Sequence, residues 1–125
     1  MHNIKINGYF KNDDMNTIVN YDCYGEKMDN KIKFENDDDI ITITVENELI
    51  LFQRENEEII MTYEFSLKEN TTNNSYKLKK ENLSVNFEIK TTQMINNSSK
   101  IFIEFNLIEM DGNCSYQLSL DYKVV

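Results

Sequence analysis

The chain has 125 residues and a mass of 14.9 kDa, the length of one domain, and size scaling lets such a chain bury about two-thirds of its unfolded surface. Hydrophobic residues at 40%, charged residues at 28% and a mean hydropathy of −0.57 fit a globular domain and exclude a low-complexity chain. With 22 acidic against 13 basic residues the net charge is −9, which argues against nucleic acid or an anionic membrane as a partner, because both are held mainly by Lys and Arg facing phosphates.

Taken in chain order, the apolar residues recur with period two. Ile4-x-Ile6-x-Gly8-x-Phe10 comes first, then Val19-x-Tyr21-x-Cys23, Ile32-x-Phe34 and Ile41-x-Ile43-x-Val45. Leu49 to Phe52 is a continuous apolar run, which suits a strand covered on both faces. Alternation resumes with Ile59-x-Met61-x-Tyr63-x-Phe65-x-Leu67, Tyr76-x-Leu78 and Leu83-x-Val85-x-Phe87-x-Ile89. It closes with Ile101-x-Ile103-x-Phe105-x-Leu107 and a long run from Cys114 through Tyr116, Leu118, Leu120 and Tyr122 to Val124. Each segment predicts a strand with one buried and one wet face, and no segment sustains a helical period.

Proline is missing and glycine occurs three times, so Asn and Asp must make the turns. Short polar connections at Lys11–Asp14, Asn36–Asp39, Glu46–Glu48 and Glu55–Glu57 predict hairpins, with Asp111-Gly112 the strongest turn signal. Glu69–Asn74 and Thr92–Ser99 read as longer loops. The predicted fold is all-β: an antiparallel up-and-down meander of about eight to ten strands, one domain over residues 1–125, closed into a barrel so that no edge stays open. A two-sheet sandwich fits the same alternation less well, because it needs longer crossovers.

The N-terminus lacks the basic start and long apolar centre of a signal peptide, and no apolar run is long enough to span a bilayer. Six Asn-x-Ser/Thr matches follow from eighteen asparagines rather than from glycosylation. The expected compartment is the cytoplasm, with Cys23 and Cys114 as reduced thiols.

The stretch Thr17-Ile18-Val19-Asn20-Tyr21-Asp22-Cys23-Tyr24-Gly25, with Lys33-Phe34-Glu35, Leu49 to Arg54, Met61 to Phe65 and the closing Ile103-to-Leu120 hairpin, resembles the bacterial YwiB-like family along nearly the whole chain. The family's Thr-Pro-Tyr-Gly-like turn is replaced by Lys79-Lys80-Glu81-Asn82. The resemblance implies a lipocalin-like, or calycin, barrel with no established activity. The chain departs from lipocalins in having Gly8-Tyr9-Phe10 and no tryptophan, and from fatty-acid-binding proteins in lacking a helical lid and an arginine beside Tyr122.

Catalytic groups are scarce. The single histidine, His2, lies in a terminal segment expected to be mobile, and Cys23 falls on an apolar face where a thiol packs rather than reacts. The acidic turns at Asp13-Asp14, Asp37–Asp39 and Glu55–Glu58 lack calcium-loop spacing. Glu35, Glu64 and Glu104 fall on wet faces, so a glycosidase carboxylate pair is not expected. No enzyme activity, cofactor or metal site is read here.

Arg54, the only arginine, has three readings. With Ile50 and Phe52 inward it reaches a barrel mouth and can meet an anionic head group; with Leu49 and Leu51 inward it is a surface charge; or it makes a structural bond to strand-end carbonyls or to a nearby carboxylate. The expected inward face carries Phe10, Tyr21, Phe34, Tyr63, Phe65, Phe87, Phe105, Tyr116 and Tyr122, rings that fill most of a lumen, while the tyrosine hydroxyls need polar partners. The candidate ligand-binding residues are therefore Arg54, Tyr21, Tyr63, Tyr116 and Tyr122. The expected function is a non-enzymatic barrel binding a small apolar or amphiphilic ligand in its lumen. The alternative is a protein–protein interaction module that uses an exposed strand edge or loops, and oligomeric state is not readable.

Overall fold

The structure, a computed structural model, describes residues 1–12, 16–109 and 112–125. Asp13, Asp14 and Asp111, from two of the turns read above, lie outside the described residues. Ten strands follow the predicted segments: β1 His2–Asn12, β2 Thr17–Met28, β3 Lys31–Asn36, β4 Asp39–Glu46, β5 Leu49–Glu55, β6 Ile59–Ser66, β7 Thr71–Leu78, β8 Leu83–Asn96, β9 Lys100–Glu109 and β10 Gly112–Val124. Every strand pairs antiparallel with its neighbours in sequence, and β10 pairs with β1, so the meander is a closed barrel. His2 is an exposed residue of β1 opposite Lys27, tied into the sheet rather than part of a loose terminus.

Left-handed backbone appears at Asp29, Asp37, Glu48 and Asn82, one in each of four hairpins. Asp and Asn suit that conformation because their side chains bond the local main chain; nothing in the structure explains the choice of Glu at 48.

The two stretches expected as loops are largely strand. Residues 71–74 belong to β7 and 92–96 to β8, each beside a register shift, between Thr71 and Asn74 and between Thr91 and Gln93. A bulge lets a polar stretch stay in a sheet by turning one residue aside. At the first bulge the buried Asn74 side chain stands in for the broken ladder: Oδ1 accepts from the Glu64 N–H at 2.7 Å, while Nδ2 donates to the Thr71 and Phe87 carbonyls at 2.9 and 3.1 Å. Thr71 Oγ1 donates to the Glu64 carbonyl at 2.6 Å.

The period-two pattern places Ile4, Ile6, Ile41, Ile43, Ile50, Phe65, Ile89, Ile101, Ile103, Phe105, Leu118 and Leu120 inside, each essentially without exposure. All nine rings expected inward lie in or against this core. The lumen is therefore packed with side chains over its middle. Charged residues such as Lys31, Lys33 and Glu35 lie on the outside of β3, which is the reverse of the polarity of a bilayer-spanning barrel.

In a closed barrel the strands are staggered, so a row of paired residues climbs from one rim to the other. One inward row runs Ile4, Gly25, Phe34, Ile41, Arg54, Met61, Tyr76, Val85. It starts at a fully buried isoleucine beside the termini and ends at Val85, which is 62% exposed. Leu83 and Val85 were expected in the core; they keep the inward parity, but the stagger carries them past the end of the packed lumen.

Gly8 lies between Leu120 and Tyr21, where an added Cβ would collide with the Ser119 carbonyl and come 2.8 Å from Leu120 Cδ2. Gly8→Ala is expected to destabilise the fold by about 1–3 kcal/mol through overpacking. Asn74→Ala strands three backbone groups, at a cost of about 1–3 kcal/mol for each group that no water reaches. Urea denaturation followed by far-ultraviolet circular dichroism measures both, with a lower midpoint expected at an unchanged slope.

Candidate functional site

The rim opposite the termini, where β3, β5 and β7 end in turns, gathers polar side chains above the packed core. Arg54 is the penultimate residue of β5. Ile50 and Phe52 are buried, so Arg54 takes the inward parity rather than the outer face, and its observed partner is the nearby carboxylate of the structural reading. Its side chain is 25% exposed and its Nε lies 3.6 Å from Asp39 Oδ2, at the start of β4. That distance makes an ion pair but not a hydrogen bond. Arg54 Nε and Thr91 Oγ1 are the buried side-chain polar atoms left without a hydrogen-bond partner among the described residues.

Asp39 is held from its other side. Asn56, in the turn after β5, donates from Nδ2 to Asp39 Oδ1 at 2.7 Å and accepts the N–H groups of Glu58 and Ile59 on its own Oδ1 at 2.8 and 3.0 Å. One amide thus ties the β3–β4 turn to the β5–β6 turn and fixes the carboxylate that faces Arg54. Neighbouring Glu55 accepts from Lys79 Nζ at 2.8 Å.

Tyr21 and Tyr63 feel the Arg54 charge, and Tyr116 neighbours Tyr63. Burial pushes the Tyr21 phenol up to about 12, opposed by the Arg54 guanidinium and reinforced by Asp39. Burial likewise pushes Tyr63 up to about 12, with the Tyr116 and Tyr76 phenols adding to it and Arg54 opposing. These mutual influences place the four phenols and the guanidinium in one electrostatic neighbourhood. Rings hold them there: Tyr21 meets Phe34 edge-on at 5.5 Å, Tyr63 meets Phe87 edge-on at 5.2 Å, and Tyr116 stacks between Phe10 and Phe105 at 5.4 and 5.5 Å.

Tyr122 belongs elsewhere. It sits at the rim beside the termini, where its hydroxyl donates to the Asn97 carbonyl at 2.8 Å and burial raises its pKa. There it helps line a hollow of about 250 Å³ with Ile32, Val45, Lys27 and Asn97. Four of the five residues singled out in the sequence are therefore brought together and the fifth is separated from them by the length of the barrel. The sequence reading missed Asp39, Asn56 and Tyr76. Parity offered a signal for Asp39, which shares the inward register of Ile41 and Ile43, but it was read with the solvated acidic turn.

The remaining chemical candidates stay apart from this mouth. Glu104, on the outer side of β9, accepts from Gln117 Nε2 at 3.0 Å, and Glu35 is exposed. Cys23 and Cys114 are free and half-buried, and burial raises the Cys23 thiol. Among the described residues no three His, Cys, Asp or Glu side chains are grouped to hold a metal ion, and no helix is long and apolar enough to cross a membrane.

Packed lumen and continuous antiparallel closure define a meander β-barrel. The same fold occurs in the crystal structure of the ywiB protein from Bacillus subtilis, which this chain matches at a TM-score of 0.62 and 16% identity over 98% of its own length and 90% of that chain. The YwiB-like resemblance read from the sequence thus holds at the level of the fold. No family model matches the sequence, and no curated protein does.

The raised phenols give stability a defined alkaline limit. An unfolded tyrosine loses its proton near pH 10 while folded Tyr21 and Tyr63 hold theirs to about 12. Their contribution is thus complete below pH 10 and is lost as pH climbs from there through 12. Denaturant midpoints measured across that window are expected to fall, and the fall is expected to be shallower in the Tyr21→Phe/Tyr63→Phe double variant.

Proposed function

We propose that the chain is a non-catalytic binding barrel that takes a small amphiphile at the Arg54 mouth, with an anionic head on the guanidinium and the tyrosine hydroxyls as additional donors. One observation carries this reading: a partly buried arginine whose Nε has no hydrogen-bond partner and whose ion-pair partner stands at 3.6 Å. Leaving a buried Nε–H unpaired costs stability unless something else accepts from it, and a carboxylate fits the fork geometry of the guanidinium.

Burial moves the Tyr21 and Tyr63 phenols further from neutrality, which suits hydrogen-bond donation rather than proton transfer. A charged outer face and two free thiols suit the aqueous, reducing compartment expected from the sequence. The packed middle of the lumen favours a ligand held at the rim over one swallowed whole, as in an open-centred lipocalin.

Titration with dodecanoate, followed by calorimetry, tests the proposal. Saturable binding at one site per chain is expected, weakened about tenfold or more in Arg54→Gln because a charge-assisted hydrogen bond is worth about 1.5–3 kcal/mol. Dodecanol is expected to bind equally to both proteins. Non-saturable uptake of dodecanoate, or equal affinity in Arg54→Gln, sinks the reading.

A further inference from the structure

A head group on Arg54 leaves the tail to be placed, and the core offers it no room: Phe52, Phe65 and Phe105 are 3%, 0% and 0% exposed. The inward row through Arg54 leads the other way. From Arg54 it passes to Met61, then Tyr76, then Val85, three strand spacings or about 14 Å across the sheet. Along that path the cover thins from a buried methionine to a half-buried tyrosine to an exposed valine. Leu83, 59% exposed, stands two residues from Val85 on the same face, opposite half-buried Leu78.

Residues 83–87 pair with β7, whereas the pairing of β8 with β9 begins at Glu88. The β7–β8 hairpin therefore runs on beyond the packed lumen as a ledge whose inward face is apolar and wet. No charged residue lies between Leu83 and Phe87, although 28% of the chain is charged. A lone exposed valine needs no explanation. This one is continuous, residue by residue, with the only arginine.

We propose that Tyr76, Val85 and Leu83, past the buried Met61, form the tail track of the Arg54 site, and that the ligand class is a single-chain aliphatic carboxylate lying across β6–β8 rather than down the barrel axis. The proposal rests on the reading of the Arg54 mouth given above and adds to it a direction, a length and a wall. The charge at one end of the row and the exposed aliphatic face at the other match an amphiphile of that polarity. A short acid reaches the guanidinium without covering Val85, and a longer one covers both.

The experiment compares hexanoate, octanoate, decanoate and dodecanoate on the wild-type chain, Arg54→Gln and Val85→Glu. Val85→Glu changes an exposed side chain and is expected to fold; circular dichroism confirms it, and Leu83→Lys serves as a second variant. In the wild type, affinity is expected to rise about two- to fourfold per added methylene until the ledge is covered. In Val85→Glu the gain is expected to vanish for decanoate and dodecanoate while hexanoate binds as before. Dodecanoate carrying a terminal nitroxide is expected to broaden the amide signals of 83–87.

Four results overturn the inference. One is a chain-length dependence identical in wild type and Val85→Glu, which leaves the head-group reading standing. A second is broadening confined to lumen residues such as Phe65. A third is a dimer in sedimentation that Val85→Glu dissolves without altering dodecanoate affinity, which makes the ledge a contact between two copies of the chain. Non-saturable uptake of every acid by the wild type removes the head-group reading and this one together.

Discussion

Hydrogen bonding between β1 and β10 runs from the Ile4–Val124 pair to the Asn12–Tyr116 pair and joins the two ends of the chain. Every other ladder connects neighbours in sequence, and such hairpins form with little loop-closure entropy; this one closes a loop of nearly the whole chain. Without it, β1 and β10 would keep exposed edges, and the isoleucines of β1 would lose one wall of their surroundings. Closure is also what makes the interior an interior. The same alternating residues on an open sheet would leave an oily face that water must wet.

Once closed, the barrel has a stagger, and the stagger assigns different chemistry to its two rims. Rows of inward residues climb, so an inward position is buried or wet according to how far along the row it lies. Ile4 and Val85 occupy one row and have opposite fates. Arg54 stands part of the way up, where most of its side chain is covered and its charged end reaches the Asp39 carboxylate. A position deeper in the row would bury the charge outright, and one further along would leave it an ordinary surface cation.

Two buried polar side chains show how differently such groups are treated. Asn74 has its donor and acceptor atoms matched to backbone groups released by a bulge, so its amide belongs to the sheet. Arg54 keeps an orphaned Nε beside a carboxylate that another residue, Asn56, positions. The first arrangement completes a ladder. The second leaves one donor unmatched, which is why the proposed function rests on Arg54 rather than on the bulge.

Strand order, closure and the identity of the core rings were legible in the sequence, because a period of two has one physical cause: side chains of a strand point alternately to opposite faces. The inward direction of Arg54 followed from the same parity once Ile50 and Phe52 were placed. Parity says which face a residue takes and nothing about how far along the barrel it stands. Tyr122 and Tyr116 share a face of β10 yet lie at opposite rims, and Leu83 and Val85 share the parity of Ile89 yet meet water. Those distinctions, together with the meeting of Asp39 and Asn56 from two separate turns, depend on the stagger of the closed sheet. That stagger is set by all ten strands at once, so no single segment of the sequence contains it.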